Sequence, residues 1–325
     1  MTTTAVQETR GRVGRNDRGL VANAVDIRRF STHDGTGIRT TIFLKGCTLA
    51  CRWCQNPETI SGRIHPVFFP SRCIDCGLCV QAAGDGEVRR EEDGRIVVDT
   101  TRESDWRALA AVCPANAITF DGSRYTVEDL VTLALRDKPF FRDGGGVTIS
   151  GGEPLFWPRF TRRLLERLHE EGVHTAIETA LNVRREFLAA CLPFLDLVYA
   201  DCKLADPRRH REMTGTDNAQ VLANLRYLLE SEHRDAVVVR TPLIPGVTAT
   251  DENIAAIARL ICDIYPDVRY ELLNYNPLAA SKYQHVPGRT FLFPDGENPP
   301  MYTRERMDHY RGVARTSGVR HLITE

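Results

Sequence analysis

From about residue 20 onward, short apolar runs alternate with longer stretches in which hydrophobic residues recur at helical spacing. The apolar runs predict six strands, at residues 38–44, 147–150, 175–178, 197–201, 237–241 and 270–273. Helical spacing is clear in PRFTRRLLERLHEEG, NAQVLANLRYLLES and DENIAAIARLICDI. Because strands that alternate with helices form parallel sheets, and six units are too few for a closed eightfold barrel, we expect an α/β fold with an open, partial (β/α)6 barrel.

Two segments depart from this alternation. Residues 62–124 contain two cysteine groupings, several Gly and Asp residues and few long apolar runs, which predicts a small inserted domain stabilised by metal rather than by a core of its own. Residues 1–20 lack the apolar stretch of a signal peptide and are predicted to form a disordered tail. The barrel is therefore assigned to residues 21–61 and 125–325.

The composition is that of an ordinary globular protein, with 42% hydrophobic and 26% charged residues. A formal net charge of −1 gives no reason to expect nucleic acid or an anionic membrane as a partner. No apolar run is long enough to span a bilayer, so we expect a cytoplasmic protein. Only four of the 42 basic residues are lysines, namely Lys45, Lys138, Lys203 and Lys282.

Seven of the ten cysteines lie between positions 47 and 113, which indicates metal or redox chemistry rather than disulfides. Cys47, Cys51 and Cys54 have the spacing CxxxCxxC and directly follow the first predicted strand. Three thiolates can bind three irons of a cubane and leave the fourth iron open, whereas structural zinc sites close with four ligands. The spacing predicts a [4Fe–4S] cluster with one open iron; a closed site with a distant fourth ligand is the alternative.

This motif, with Trp53 before its last cysteine, resembles the signature of radical S-adenosylmethionine (SAM) enzymes. The surrounding stretch STHDGTGIRTTIFLKGCTLACRWCQNPE closely resembles the opening of glycyl-radical-enzyme activating enzymes of the pyruvate formate-lyase activating enzyme type. Four later segments resemble blocks of that family in order and spacing: GGGVTISGGEPLF, YADCKLADPRRHREMTG, RTPLIPGVTATDENI and YELLNYNPLAASKYQ. The resemblance covers the chain from about residue 25 to its C-terminus.

Polar residues and glycines follow or end the predicted strands, at the edge where αβ barrels build their active sites. Besides the three cysteines, they are Gly151, Gly152, Glu153, Glu178, Thr179, Asp201, Lys203, Arg240 and Asn276. Glycine has no Cβ, so Gly151 and Gly152 are expected to let backbone carbonyls approach the SAM amine. All of these residues are candidates for the SAM site.

The resemblance also implies individual roles at this site. Lys203 and Arg240 would bind the carboxylate and ribose side of SAM. Glu178, Thr179 and Asp201 match positions that form a monovalent-cation site beside SAM in relatives, and hard oxygen ligands suit such an ion.

Three other positions are assigned by the resemblance alone. Trp53 belongs to the cofactor site through its place in the cysteine motif. Asn276 stands where relatives usually have His and is expected near SAM. Asp34, in the segment DGTG, matches the rim that meets the partner's glycine loop.

The second cysteine grouping, Cys73, Cys76 and Cys79 with a later Cys113 before Pro114, has bacterial-ferredoxin character. In two-cluster ferredoxins, the cysteine before proline completes the cluster of the other triplet. The positions that would bind a second cluster are Ala83, Glu103, Trp106 and Leu109. None of these is a plausible ligand, so we expect one auxiliary [4Fe–4S] cluster; a structural zinc site is the alternative.

The resemblance implies that SAM is cleaved reductively to a 5′-deoxyadenosyl radical, which abstracts hydrogen from a glycine of a large glycyl radical enzyme. A flavodoxin or ferredoxin would be the reductant. The alternative is a radical SAM enzyme that acts directly on a small molecule or peptide, such as an epimerase or dehydrogenase. Three departures from the family support it: Ala180-Leu181 for Cys-Gly, Asn276 for His, and Thr36 for Pro. An open groove at the barrel mouth would favour a protein loop, and a closed pocket a small substrate.

Overall fold

The computed structural model describes residues 19–32, 34–84, 86–294 and 297–324. The tail predicted for residues 1–20 lies outside these residues, apart from its last two. The strands are β1 Val21–Ser31, β2 Arg39–Leu44, β3 Pro66–Phe68, β4 Val88–Arg90, β5 Ile96–Val98, β6 Ile118–Phe120, β7 Ser123–Thr126, β8 Gly146–Gly151, β9 His174–Thr179, β10 Leu197–Asp201, β11 Val237–Pro242, β12 Arg269–Leu273 and β13 His321–Ile323. The α-helices are α1 Leu78–Ala82, α2 Trp106–Ala111, α3 Val127–Leu135, α4 Pro158–Glu170, α5 Arg185–Ala189, α6 Pro207–Thr214, α7 Ala219–Glu230, α8 Asp251–Ile264, α9 Ala280–Tyr283 and α10 Arg304–Thr316.

Nine of the described strands form one mixed sheet in the order β13-β12-β11-β10-β9-β8-β2-β1-β7. The six predicted strands are β2 and β8 to β12, and each pairs in parallel with its neighbours in that series. The predicted α/β fold with a parallel sheet is therefore confirmed. One face of the sheet packs against the helices to form the main core. The opposite face, called the inner face below, carries the charged residues at the strand ends.

Three strands of this sheet were not predicted. The long strand β1 pairs antiparallel with β2 and β7, and its pairing with β2 contains two register irregularities. Its second half, DIRRFS, is largely exposed, so it lacks the apolar signal of a buried strand. Strand β13 has only three residues and pairs in parallel with β12 at the other edge.

The crossover helices end close to the predicted positions because their sequences contain ordinary start and stop signals. Pro158 opens α4, and Gly172 follows that helix with a φ of +66°. Thr250 caps α8 by accepting a hydrogen bond from the Asn253 N–H. No helix within the described residues is both long and apolar enough to cross a membrane.

The inserted segment has two small antiparallel ladders, β3 with β6 and β4 with β5. It also has a small apolar core, made by Cys79, Val88, Ile96, Trp106, Leu109 and Ile118. The expectation that metal alone would stabilise this segment was therefore incomplete. Strand β7 already pairs with β1 of the large sheet, so residues 123 and 124 belong to that sheet rather than to the insert.

Candidate active site

The loop after β2 carries the first three cysteines and is fixed by backbone hydrogen bonds. The Gly46 and Cys47 N–H groups donate to the carbonyls of Thr59 and Ile60, at 2.6 and 3.0 Å. Ala50 donates to the Thr214 carbonyl at the end of α6, at 2.7 Å. These bonds hold residues 46–50 between two other segments, so the position of the thiols is set by the fold around them.

Trp53 secures the same loop by apolar packing. It is 3% exposed and belongs to a cluster with Leu204, Ile244, Val247 and Tyr275. The Cys51 side chain packs against this cluster. The structure therefore gives Trp53 a role in holding the cysteine loop against the segments that follow β10, β11 and β12.

The three thiols are half-buried, and their surroundings are unfavourable for free thiolates. Burial raises the pKa of Cys54 to about 12, and it raises the pKa values of Cys47 and Cys51 as well. The Leu49 N–H donates to the Cys47 sulfur at 3.4 Å, a contact that favours the thiolate. Binding of iron would displace the protons and compensate the buried charge. No group of three or more His, Cys, Asp or Glu residues among those described is arranged for a single metal ion, whereas the ligands of a cubane bind separate irons.

Gly151 and Gly152 allow β8 to approach the cysteine loop closely. Gly151 has a φ of +111°, and a Cβ there would lie 2.3 Å from the Leu44 carbonyl oxygen. A Cβ on Gly152 would lie 2.3 Å from the Gly46 carbonyl oxygen. Since real Cβ contacts are never so short, both positions require glycine for packing against the chain itself. Their predicted approach to the SAM amine stays a prediction.

Gly152→Ala is expected to lower the free energy of unfolding of the metal-free protein by about 1–3 kcal/mol, because the added methyl group overpacks the junction with Gly46. It should also reduce the iron retained after reconstitution. Gly312→Ala is the matched control: its Cβ would meet nothing within 4 Å in α10, and alanine there should stabilise by about 0.5–1 kcal/mol. Urea unfolding and iron analysis would measure both effects. Equal loss of stability in the two variants would contradict the packing argument.

Glu153 is a fully buried carboxyl group that organises the turn after β8. It accepts hydrogen bonds from the Thr179 hydroxyl at 2.9 Å and from the Ala180 N–H at 2.8 Å. The Leu155 N–H donates to it at 3.0 Å. Burial raises its pKa to about 7, and these hydrogen bonds act in the opposite direction. Glu153 thus ties the end of β8 to the end of β9.

A second network lies on the inner face at the ends of β9, β10 and β11. Arg240 donates from Nη1 to Glu178 at 2.7 Å and from Nε to Asp201 at 3.3 Å. Lys203 donates to the other oxygen of Asp201 at 2.5 Å. Burial opposes ionisation of Asp201, but the charges of Lys203 and Arg240 outweigh it and hold its pKa below the ordinary value. The fold thus brings four of the predicted site residues into one network of ion pairs: the carboxylates of Glu178 and Asp201 and the cationic groups of Lys203 and Arg240.

Two predicted positions do not join this network. The Asn276 side chain accepts a hydrogen bond from the Leu278 N–H at 3.0 Å and so caps its own turn. The Asp34 carboxylate accepts hydrogen bonds from Ser31 and Thr41, both at 2.6 Å. Asp34 therefore lies beside the first half of β2, away from the end that carries the cysteines.

Sequence analysis missed a chain of charges that joins the insert to the cysteine loop. Lys45, which is fully buried, pairs with Asp121 at 2.8 Å and donates to the Glu58 carbonyl. Lys282 pairs with the Glu58 carboxylate at 2.9 Å and donates to Asn56 at 2.7 Å. The scarcity of lysine was the available signal, because Lys45, Lys203 and Lys282 all lie around this loop.

A cavity of about 330 Å³ opens beside the cysteine loop. Its walls include Phe43 on the inner face, Glu58 after the cysteines, Phe69 and Phe120 of the insert, and Lys282. It is open to solvent rather than enclosed. Neither this cavity nor a larger one of about 830 Å³, between β12 and α10, is lined by any of the predicted site residues.

The second cysteine grouping also converges. Cys73, Cys76, Cys79 and Cys113 line one small pocket of the insert, and Cys76 is exposed. Backbone N–H groups of Asp75 and Ala117 donate to the sulfurs of Cys73 and Cys113, at 3.4 and 3.2 Å. Trp106 and Leu109, at positions that a second ferredoxin cluster would use, are buried in the core of the insert instead.

Comparison with known proteins agrees with this arrangement. The family model of the radical SAM superfamily matches residues 41–261. The chain is 40% identical to the isethionate sulfite-lyase activating enzyme of Nitratidesulfovibrio vulgaris over 275 residues, which cover 83% of this chain and 89% of that protein. It is 36% identical to the indoleacetate decarboxylase activating enzyme of Tractidigestivibacter scatoligenes over 317 residues, or 94% and 98% of the two chains. It is 39% identical to the benzylsuccinate synthase activating enzyme of Thauera aromatica over 265 residues, or 79% and 80%.

Six parallel strands, β2 and β8 to β12, carry three grouped thiols in the loop after β2. The superfamily model matches most of the chain. Together these features define a radical SAM enzyme. The chain belongs to the glycyl-radical-enzyme activating enzymes of that superfamily.

Proposed function

We propose that Cys47, Cys51 and Cys54 bind a [4Fe–4S] cluster whose open iron takes the amine and carboxylate of SAM. When bound, this cluster supplies the electron that breaks the sulfonium C–S bond, which releases methionine and a 5′-deoxyadenosyl radical. As an activating enzyme, the chain uses this radical to abstract a hydrogen atom from a glycine of a partner glycyl radical enzyme. The products are 5′-deoxyadenosine and a glycyl radical. The grouping of three half-buried thiols beside paired charges supports this proposal most strongly.

The polar residues of the inner face would bind and orient SAM. Lys203 and Arg240 offer cations to its carboxylate and ribose side, from positions where both are mostly buried. Burial strengthens such contacts, because water no longer competes for them. Glu153 holds the turn on which Gly151 and Gly152 would present their carbonyls to the SAM amine.

In the insert, we expect Cys73, Cys76, Cys79 and Cys113 to bind one auxiliary [4Fe–4S] cluster with all irons ligated. The insert would then be ferredoxin-like, with an apolar core where a second cluster would otherwise sit. A fully ligated cluster suits electron relay or stabilisation rather than substrate binding. The exposed Cys76 edge would face a flavodoxin or ferredoxin reductant.

The relatives support a polypeptide substrate, because each of them is an activating enzyme named for another enzyme that it activates. Direct modification of a small molecule is therefore the weaker alternative. The expectation of an open groove or a closed pocket at the barrel mouth stays a prediction, because neither of the two cavities described above is lined by predicted site residues.

Electron paramagnetic resonance of anaerobic extract from a host strain that lacks this gene would test the function. Adding reconstituted enzyme, SAM and reductant is expected to produce a glycyl doublet that oxygen destroys. The same addition with the Cys54→Ala variant should give no doublet. Accumulation of 5′-deoxyadenosine without any protein radical would contradict the activating role and indicate a small substrate.

A further inference from the structure

The three residues that match a monovalent-cation site already have partners within the chain. Glu178 accepts from Arg240 Nη1 at 2.7 Å with one oxygen and from the Ser150 hydroxyl with the other. Asp201 accepts from Arg240 Nε at 3.3 Å with one oxygen and from Lys203 at 2.5 Å with the other. Every carboxylate oxygen that would bind the ion therefore has its own donor.

The third expected ligand, Thr179, is also engaged. Its hydroxyl donates to the Glu153 carboxylate and accepts a hydrogen bond from the Leu181 N–H at 3.0 Å. An ion that bound this oxygen would have to displace the bond from Leu181 or share the oxygen with it. The described arrangement therefore does not fit the monovalent cation that the family resemblance implies.

Arg240 contacts both carboxylates that are expected to bind the ion. It starts on β11, crosses the ring of Tyr199 on β10 with its guanidinium carbon 4.5 Å from the ring centroid, and reaches Glu178 on β9. Its side chain is 9% exposed. A guanidinium is planar, remains charged and offers several donors in fixed directions, so it can bridge two carboxylates as a bound ion does.

The two cations of this network compensate the two carboxylates that are expected to bind the ion, and Glu271, the register partner of Arg240 on β12, adds a further negative charge near the guanidinium. Glu178 and Asp201 contribute two negative charges, and Arg240 and Lys203 contribute two positive charges. A further cation between the two acids would lie close to the guanidinium, and like charges in a mostly buried site repel strongly.

We propose that the guanidinium of Arg240 takes the place of the monovalent cation beside SAM, so that this enzyme binds and cleaves SAM without K⁺ or Na⁺. This inference rests on the proposed SAM site but not on the identity of the partner protein. It makes Arg240 a positioning residue for Glu178 and Asp201 as well as a candidate SAM contact.

The first test uses the reconstituted holoenzyme without any partner. SAM dissociation constants and rates of 5′-deoxyadenosine formation are compared in KCl, NaCl and tetramethylammonium chloride at equal ionic strength. We expect agreement within about twofold. A loss of tenfold or more in the tetramethylammonium salt, restored by K⁺, would overturn the inference and leave the proposed function intact. Failure to bind or cleave SAM in every salt would overturn both.

A second test measures the ion itself. Thallium(I), a K⁺ mimic, is titrated into the wild-type holoenzyme and followed by ²⁰⁵Tl nuclear magnetic resonance. We expect no saturable binding of thallium. Saturable binding would contradict the inference. The Arg240→Met variant should instead gain at least a fivefold improvement of SAM affinity on addition of K⁺. Arg226→Met, an exposed control on α7, should show no K⁺ effect. If Arg240→Met fails to fold, the wild-type titration still decides.

Discussion

Cys54→Ala is expected to abolish SAM cleavage, whereas Cys76→Ala should leave it measurable. Cys54 belongs to the first group of three thiols, and loss of one thiol from a three-ligand site leaves only two protein ligands for the cluster. Cys76 lies at the exposed edge of the insert pocket and belongs to the second cysteine group. Each substitution should therefore remove about four irons per chain, but from different clusters.

Iron analysis, electron paramagnetic resonance with and without SAM, and the rate of 5′-deoxyadenosine formation would measure these effects. In Cys54→Ala, the spectral change caused by SAM should disappear with the activity. Cys262→Ser, a free thiol outside both groups, is the matched control and should keep both the iron and the rate. Retention of SAM cleavage by Cys54→Ala would show that the first group does not form the catalytic cluster. Full iron content in Cys76→Ala would show that the second cysteine group does not bind an auxiliary cluster.

The strands that the sequence predicted well are those buried on both faces. The predicted strand 197–201 coincides with β10, because a buried parallel strand is a continuous apolar run. Strand β1 escaped prediction because its exposed half carries Arg28 and Arg29, which interrupt the apolar pattern. Its place in the sheet depends on pairing with β2 and β7, which no local signal contains.

At the candidate site, too, features with a local sequence signal could be predicted and features that depend on long-range pairing could not. The cysteine groups could be found from the sequence, because their spacing is local. The pairing of Arg240 with Glu178 joins residues 62 positions apart and depends on the register of β9, β10 and β11. Sequence resemblance assigned both residues to the site but could not show that they neutralise each other. Only the folded arrangement reveals that the expected cation ligands are already occupied.

Loss of the buried pair between Lys45 and Asp121 is expected to destabilise the protein more than any surface substitution. Lys45 is fully buried, and Asp121 is 12% exposed. Burial lowers the pKa of Lys45, and Asp121 opposes that shift, so removal of the carboxylate leaves an ammonium group in a poor environment. Removing one partner of a buried pair typically costs about 3–5 kcal/mol. We expect Asp121→Ala to lower the free energy of unfolding of the metal-free protein by about this amount.

The consequence for function follows from where Lys45 lies. It is two residues before Cys47, and Asp121 accepts a hydrogen bond from the His65 N–H at 2.8 Å, where the chain enters the insert. Asp121→Ala should therefore loosen the insert and the cysteine loop together and lower the retained iron. Lys45→Met combined with Asp121→Ala removes the unpaired charge and should recover about 2 kcal/mol relative to the sum of the single changes. Arg226→Ala, which breaks an exposed pair with Glu230, is the control and should cost less than about 1 kcal/mol. Additive effects of the two single substitutions would mean that the two charges do not couple.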